Sequence, residues 1–275
     1  MTIAQALAAA LALGIDRLDA QMLLLHAIGR PLRDRAWLLA HDTDEFSEST
    51  WLAFARQVAR RATGEPLAYL VGEKEFHGLT LKIDARVLVP RPDTETLVDW
   101  ALERLNLLAS PKVLDLGTGS GAIALALAHA RPDALVRAID ASADALAVAA
   151  ANATRLRLAV QFTLADWLDG AAVSYDVIVS NPPYIAVDDR HLDALQHEPI
   201  AALAAGADGL DDLRRIVCDA PPHLSEGGWL LLEHGHDQAA AVRALLDERG
   251  FAEVQSRNDL AGIARCSGGI WRTVK

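Results

Sequence analysis

Asn181-Pro182-Pro183-Tyr184 stands where the apolar run Asp176 to Ser180 stops. Neither proline has an N–H, so the turn offers the Asn181 side-chain oxygen and main-chain carbonyls as acceptors with few competing donors. Such a turn suits a group that presents two N–H bonds. An amide or aromatic amino nitrogen is such a group, and it is a poor nucleophile because its lone pair is delocalised. Held through both hydrogens by the Asn181 oxygen and the Pro182 carbonyl, the nitrogen becomes tetrahedral with its lone pair aimed along a fixed line. Positioning and charge stabilisation then do most of the catalysis, without a strong general base. Tyr184 would lay its ring against the planar substrate group. Two prolines alone need be no more than a strand stop and a rigid turn; the four residues together, downstream of a glycine loop, favour the chemical reading.

That loop is "VLDLGTGSGAIALALA", which places Asp115, Gly117, Gly119 and Gly121 where an apolar strand turns into an apolar-faced helix. Glycines there allow positive φ and let a ligand approach the backbone. The spacing is GxGxG, which is neither the GxGxxG of dinucleotide sites nor a P-loop, since no Lys-Ser/Thr follows. A second strand ends in Asp140, whose carboxylate can accept both hydroxyls of a ribose. A cofactor with a ribose but no phosphate chain fits the pair, and S-adenosylmethionine is such a cofactor. A third strand end carries Asp166, placed to accept from an adenine amino group, and Trp167, placed to cover the ring plane. Taken singly, Asp140, Asp166 and Trp167 read equally as helix caps and a core aromatic.

The elements that must position these groups alternate strand and helix. Strands are expected at Lys112 to Leu116, Leu135 to Ile139, Val160 to Leu164, Asp176 to Ser180 and Trp229 to Glu233, with helices or crossovers between them, the signature of a parallel sheet covered on both faces. Phe251 to Ser256 and Gly269 to Val274 would close it with an antiparallel pair. Before this lies a helical front: Thr2 to Leu13 with a Thr2/Gln5 capping box and Gly14 as its stop, Leu18 to Ile28 ended by Gly29 and Pro31, a helix near Arg33 to Ala40, and Thr50 to Ala62. Period-2 alternation around Gly78 predicts a β-hairpin between the two parts, and Pro92 with Asp93 and Glu95 opens a further helix. The expected fold class is α/β: a Rossmann-like, mostly parallel sheet with a C-terminal antiparallel strand and a small N-terminal helical bundle. The expected divisions are 1–72, a hairpin linker over 73–89, and 90–275.

Of the 275 residues 52% are hydrophobic and 23% charged, a balance that builds a core, and the formal net charge is −11. That charge opposes sequence-independent attraction to nucleic acid phosphates, although Arg56, Arg60 and Arg61 could make a local basic patch. The two cysteines, Cys218 and Cys266, form no CxxC and no Cys/His cluster, so neither a disulfide framework nor a metal site is expected and a reducing cytoplasm fits best. The opening "MTIAQALAAALALG" lacks a basic leader and reads as a first helix. No apolar run reaches the roughly 18 residues of a membrane span.

From Gly64 onward the sequence resembles the HemK/PrmC family, the N5-glutamine methyltransferases of peptide chain release factors. The resemblance runs through "GEPLAYLVGEKEFHGL", "VLVPRPDTETLVDWAL", the glycine loop, "DVIVSNPPYI", "HEP", "GGWLLLEHGHDQ" and "DLAGIARCSGG". Glycine loop and Asn-Pro-Pro-Tyr alone are shared with DNA adenine methyltransferases; the Pro-Arg-Pro-Asp-Thr-Glu segment and the helical front narrow the match. The resemblance implies that Gly117, Thr118, Gly119, Ser120, Gly121, Asp140, Trp167 and Asn181 contact S-adenosylmethionine. It implies that Asn181, Pro182, Pro183 and Tyr184 bind the glutamine of a Gly-Gly-Gln loop in class 1 release factors, which the helical front helps to dock. Pro90 to Glu95 would form a lip over cofactor and peptide, or equally no more than a capped helix start with acidic residues at its N-terminal dipole, while Glu198 and Glu233 receive no role. The alternatives are a glutamine in a ribosomal protein, or an amino group of a nucleic acid base.

Overall fold

Thr2 and Gln5 form the expected capping box, the Gln5 N–H donating to Thr2 Oγ1 at 3.3 Å and the Thr2 N–H to Gln5 Oε1 at 3.0 Å. Helix α1 (Ile3–Ala12) follows from it and stops before Gly14. Helix α2 (Arg17–Ala27) is capped by Asp16, which accepts from the Leu18 N–H. Helix α3 (Arg35–Ala40) starts two residues later than expected and α4 (Glu48–Ala62) two earlier, the latter because Ser47 accepts from the Thr50 N–H and caps the first turn. Helix α5 (Leu67–Val71) has no counterpart in the sequence reading, since one turn is too short to show a period. Leu23, Leu24, Leu25, Phe54, Val58 and Leu70 bury together as the core of this first unit, Met1–Glu73. Arg60 pairs with Glu65 and Arg61 with Asp19, so two of the three charges of the expected basic patch are matched by acids.

The structure, a computed structural model, describes residues 1–171 and 174–272. In the second unit, Lys74–Lys275, strands β1 (Glu73–Phe76) and β2 (Leu79–Lys82) form a hairpin. Its turn residues His77 and Gly78 have φ of 48° and 77°, the conformation a two-residue hairpin loop requires. A 3₁₀ turn at Pro92–Thr94 runs into α6 (Glu95–Leu105). The chain then continues through β3 (Lys112–Leu116), α7 (Ala122–Ala130), β4 (Leu135–Asp140), α8 (Ala143–Leu156), β5 (Val160–Leu164), β6 (Tyr175–Ser180), α9 (Asp211–Asp219), β7 (Leu224–Glu233), α10 (Ala239–Arg249), β8 (Ala252–Asn258) and β9 (Ala264–Ile270).

Among the described residues these last seven strands form one sheet in the order β5-β4-β3-β6-β7-β9-β8, parallel except for β9, which runs antiparallel to both neighbours. The order reverses direction between β3 and β6, and the crevice outside the carboxyl ends of those two strands is where open α/β sheets bind ligands. No helix among the described residues is long and apolar enough to cross a membrane.

The final strand corrects the sequence reading. It spans Ala264–Ile270 and not Gly269 to Val274, of which 273 and 274 lie outside the described residues. Gly268 and Gly269 sit inside the strand, where glycine ordinarily signals a break, because the sheet closes tightly around them. A Cβ on Gly268 would stand 2.5 Å from the Leu230 carbonyl oxygen and 3.2 Å from the Trp100 ring, and one on Gly269 2.9 Å from Phe251 Cβ. Gly268→Ala should therefore destabilise the protein by about 1–3 kcal/mol, read as a lower midpoint of thermal unfolding; an unchanged midpoint would mean that the sheet can open at this point.

Candidate functional site

The parallel register pairs Leu116 with Ser180, and the fully buried Ser180 hydroxyl donates to the Leu116 carbonyl at 2.8 Å. Gly117 and Asn181 therefore leave the sheet side by side. Gly117, Gly119 and Gly121 have φ of 68°, 56° and 84°, values that L side chains rarely adopt. A Cβ on Gly119 would meet nothing within 4 Å, whereas one on Gly117 would stand 3.2 Å from the Trp167 ring. Beneath the loop, Asp115 Oδ2 accepts from Thr118 Oγ1 at 2.6 Å and from the Ala124 N–H at 3.1 Å, tying the turn to the first turn of α7. Asp140 accepts from the Gly119 N–H through one oxygen and from the Ser142 N–H through the other, both at 2.8 Å, which leaves each oxygen a second lone pair. Asn152 on α8, fully buried, accepts from the Lys82 N–H and donates to the Lys82 and Ser120 carbonyls, clamping the hairpin to the glycine loop.

These elements enclose a cavity of about 430 Å³, within the usual size of small-molecule sites. Of the residues singled out in the sequence, Gly117, Gly119, Asp140, Asp166, Trp167, Asn181 and Pro183 line it. Thr118, Ser120, Gly121, Pro182 and Tyr184 are not among its lining residues. Thr118 and Ser120 are buried beneath the loop. The Tyr184 ring packs on the sheet core and its hydroxyl donates to Glu233 Oε1 at 3.4 Å, with burial raising the phenol above its ordinary range. Asp166 forms an ion pair with Arg215 at 2.6 Å. Trp167 has a φ of 48°, uncommon for a bulky residue and a form of strain that collects at functional sites. Its Nε1 donates to Asp212 Oδ1 at 3.2 Å, and burial raises the Asp212 carboxyl.

The turn after β6 is poorer in donors than its sequence alone dictates. Beyond the two prolines, the Tyr184 and Ile185 N–H groups both donate to the Leu203 carbonyl, at 3.2 and 2.9 Å. Gln238 Nε2 donates to the Tyr184 carbonyl at 3.0 Å and holds the turn from behind. Sequence reasoning missed much of the remaining lining, including Arg86, Val87 and Leu88 from the segment before α6 and Pro199, Ala201, Ala202 and Asp212 from the segment after β6. Glu198 joins the two segments, its buried carboxylate accepting from the Val89 N–H at 2.9 Å and from the Arg91 guanidinium. A glutamate before a proline carries no signal of a partner 109 positions away.

Residues 94–209 match the family model described as "Methyltransferase small domain", and residues 2–72 the "PrmC N-terminal domain". The chain is 52% identical over 260 residues to the release factor glutamine methyltransferase of Bordetella pertussis, a match that covers 93% of this chain and 95% of that protein. To the protein of the same name from Xylella fastidiosa (strain Temecula1) it is 47% identical over 272 residues, covering 96% and 98%. Among solved structures, a methyltransferase from Pyrococcus furiosus aligns over 80% of this chain and all of its own, with a TM-score of 0.55 at 19% identity; that likeness is one of fold.

Burial pushes the Asp115 carboxyl up to about 7, and its Oδ1 has no hydrogen-bond partner among the described residues. A raised carboxyl binds its proton more tightly folded than unfolded. Its contribution to stability is complete below the unfolded value and is lost as pH rises through the folded one. Asp115→Asn should flatten the pH dependence of unfolding free energy between about pH 4 and pH 7, measured by urea titration. A profile with the wild-type slope would show that the carboxyl is ionised throughout.

Proposed function

The chain belongs to the release factor glutamine methyltransferase family, and on that premise we propose that it transfers a methyl group from S-adenosylmethionine to the side-chain nitrogen (N5) of the glutamine in the Gly-Gly-Gln loop of class 1 peptide chain release factors. The observation that carries this reading is the placement of Asn181 and Pro183 in the same cavity as Gly117, Gly119 and Asp140, an acceptor-only turn beside a glycine loop with a free ribose-type acceptor.

The residues present fit S-adenosylmethionine. Gly119 leaves open space where a side chain would stand, the Asp140 oxygens keep lone pairs for two ribose hydroxyls, and the Trp167 ring forms a wall beside Gly117. Thr118, Ser120 and Gly121 act by holding the loop in shape, and Asp166 with Trp167 closes the adenine end. No phosphate-binding side chain is needed. When bound, the cofactor supplies an electrophilic methyl carbon on a sulfonium.

Asn181 Oδ1 and the Pro182 carbonyl accept the two hydrogens of the substrate amide, which draws the nitrogen lone pair out of conjugation and aims it at that carbon. With the methyl group supplied by the cofactor, Asn181 and Pro182 would hold the nitrogen in line throughout the transfer, and one of its two hydrogens would be released as a proton to solvent. Each acceptor grows more favourable as positive charge gathers on nitrogen, so the transition state is bound more tightly than the ground state. Tyr184 supports the turn from the core side, its ring backing the position of the planar amide. The match of residues 2–72 to a PrmC N-terminal domain supports release factor docking by the helical unit.

The test is mass analysis of a purified release factor, and separately of DNA and RNA, after incubation with the enzyme and S-adenosylmethionine. One added methyl on the Gly-Gly-Gln glutamine is expected; a methyl found only on nucleic acid would overturn the assignment. Asn181→Ala should lower kcat by on the order of a hundredfold while cofactor affinity, followed by calorimetry, stays close to that of the wild type. Undiminished turnover would remove Asn181 from the mechanism.

A further inference from the structure

Thr94 stands immediately before α6, where a threonine usually caps the helix, yet its side chain makes no cap hydrogen bond and only 4% of it is exposed. Its hydroxyl oxygen lies 3.3 Å from Asn181 Nδ2. On its other side stands the carboxyl of Glu233, a residue at the end of β7 with 1% exposure whose Oε2 has no hydrogen-bond partner among the described residues. The sequence reading placed Thr94 within the expected lip of Pro90 to Glu95 and left Glu233 without a role.

The three groups together have a direction. A hydroxyl carries one hydrogen and two lone pairs, and a carboxylate can only accept. The buried, unpartnered carboxylate oxygen beside it draws the Thr94 hydrogen toward Glu233, which leaves only lone pairs facing Asn181. Those lone pairs select the amide nitrogen of Asn181, and its oxygen is left on the opposite side of the planar group. An asparagine amide is nearly symmetric in shape, so packing alone does not choose between its two orientations. In the wrong one, two N–H bonds would meet a substrate nitrogen that has two of its own.

We propose that Thr94 is a positioning residue for the transfer, fixing, with Glu233 behind it, the orientation in which Asn181 presents its oxygen to the methyl-accepting nitrogen. This inference rests on the methyl-transfer reading of the site and names the part of the protein that makes the acceptor an acceptor.

Glu233 also sets the conditions under which the relay holds. The groups that face it are Thr94 and Asp93 from the turn before α6, Tyr184 from the turn after β6, and Arg265 and Cys266 from β9, with His234 next along β7. Arg265 is shared with Asp93 at 3.3 Å and with Asp259 at 3.4 Å, which leaves it only partly available to Glu233. Burial is the largest influence, and it pushes the Glu233 carboxyl up to about 7. Once protonated, Glu233 can donate to Thr94 itself, and the Thr94 hydrogen is no longer held away from Asn181. The relay is thus directional above that pH and loses its direction below it.

The experiment uses the full chain with Thr94→Val, Thr94→Ser and Glu233→Gln, assayed on a release factor with S-adenosylmethionine and checked for folding by circular dichroism. Thr94→Val, which keeps the shape and removes the hydroxyl, should lower kcat by about tenfold or more, with KM for the release factor and cofactor affinity held within about twofold. Thr94→Ser should recover most of the loss. Wild-type kcat should fall as pH drops below about 7, and this acid limb should be missing in Glu233→Gln. Nuclear magnetic resonance of the Asn181 side-chain amide gives a reading independent of turnover: its ¹⁵N–¹H pair should shift or broaden in Thr94→Val and return in Thr94→Ser. Wild-type kcat in Thr94→Val, equal losses in the valine and serine variants, or an Asn181 amide signal unmoved by valine would each overturn the proposal. A wild-type enzyme that leaves the release factor unmodified would instead overturn the functional reading, and the amide signal would still decide the orientation.

Discussion

The parallel pairing of β3 with β6 sets Leu116 beside Ser180, and every distance in the site follows from it. A slip of one residue would turn the side chains of β6 to the other face of the sheet and carry Asn181 away from the glycine loop. The register is guarded twice, by the apolar sequence of both strands and by the buried Ser180 hydroxyl donating to the Leu116 carbonyl. Around this seam the remaining supports are clamps between elements: Asp115 under the loop, Asp140 across to β4, Asn152 to the hairpin and Glu198 to the segment before α6.

What the site does with polar groups is largely subtraction. Prolines remove two donors, the Leu203 carbonyl occupies the next two, and three glycines remove side chains from the loop. The groups that remain are few and aimed: an amide oxygen, a carbonyl and a carboxylate with spare lone pairs. Two acids, Asp115 and Glu233, are buried to the point of near-neutral titration and lie behind the surfaces that meet ligands. Their partly unsatisfied oxygens raise the cost of any rearrangement in which they would be left without the bonds they have.

The sequence was most legible where chemistry follows a strand directly. β3 and β5 have the bounds read from their apolar runs, and the glycine loop, Asp140 and Asn181 all stand at strand ends. The capping box of α1 was legible because both partners lie within one turn. Contacts between distant positions were not: Thr94 to Asn181 spans 87 positions, Glu198 to Val89 spans 109 and Asn152 to Lys82 spans 70. No local pattern encodes such pairs, because what selects them is the docking of elements after each has formed. Gly268 and Gly269 misled for a related reason, since their smallness answers to Leu230, Trp100 and Phe251 and not to any turn.

The place of β9 between β7 and β8 has a bearing on how the chain emerges from the ribosome. Strands are made in chain order, but this sheet is not assembled in that order. When β8 has been synthesised it has no sheet neighbour, and β7, whose apolar residues are buried in the finished protein, presents an open edge. An open edge of that kind invites pairing with another chain. The reversal of β9 ends that exposure by supplying both missing partners at once, which makes the glycine-bearing strand the closing stitch of the sheet during biosynthesis.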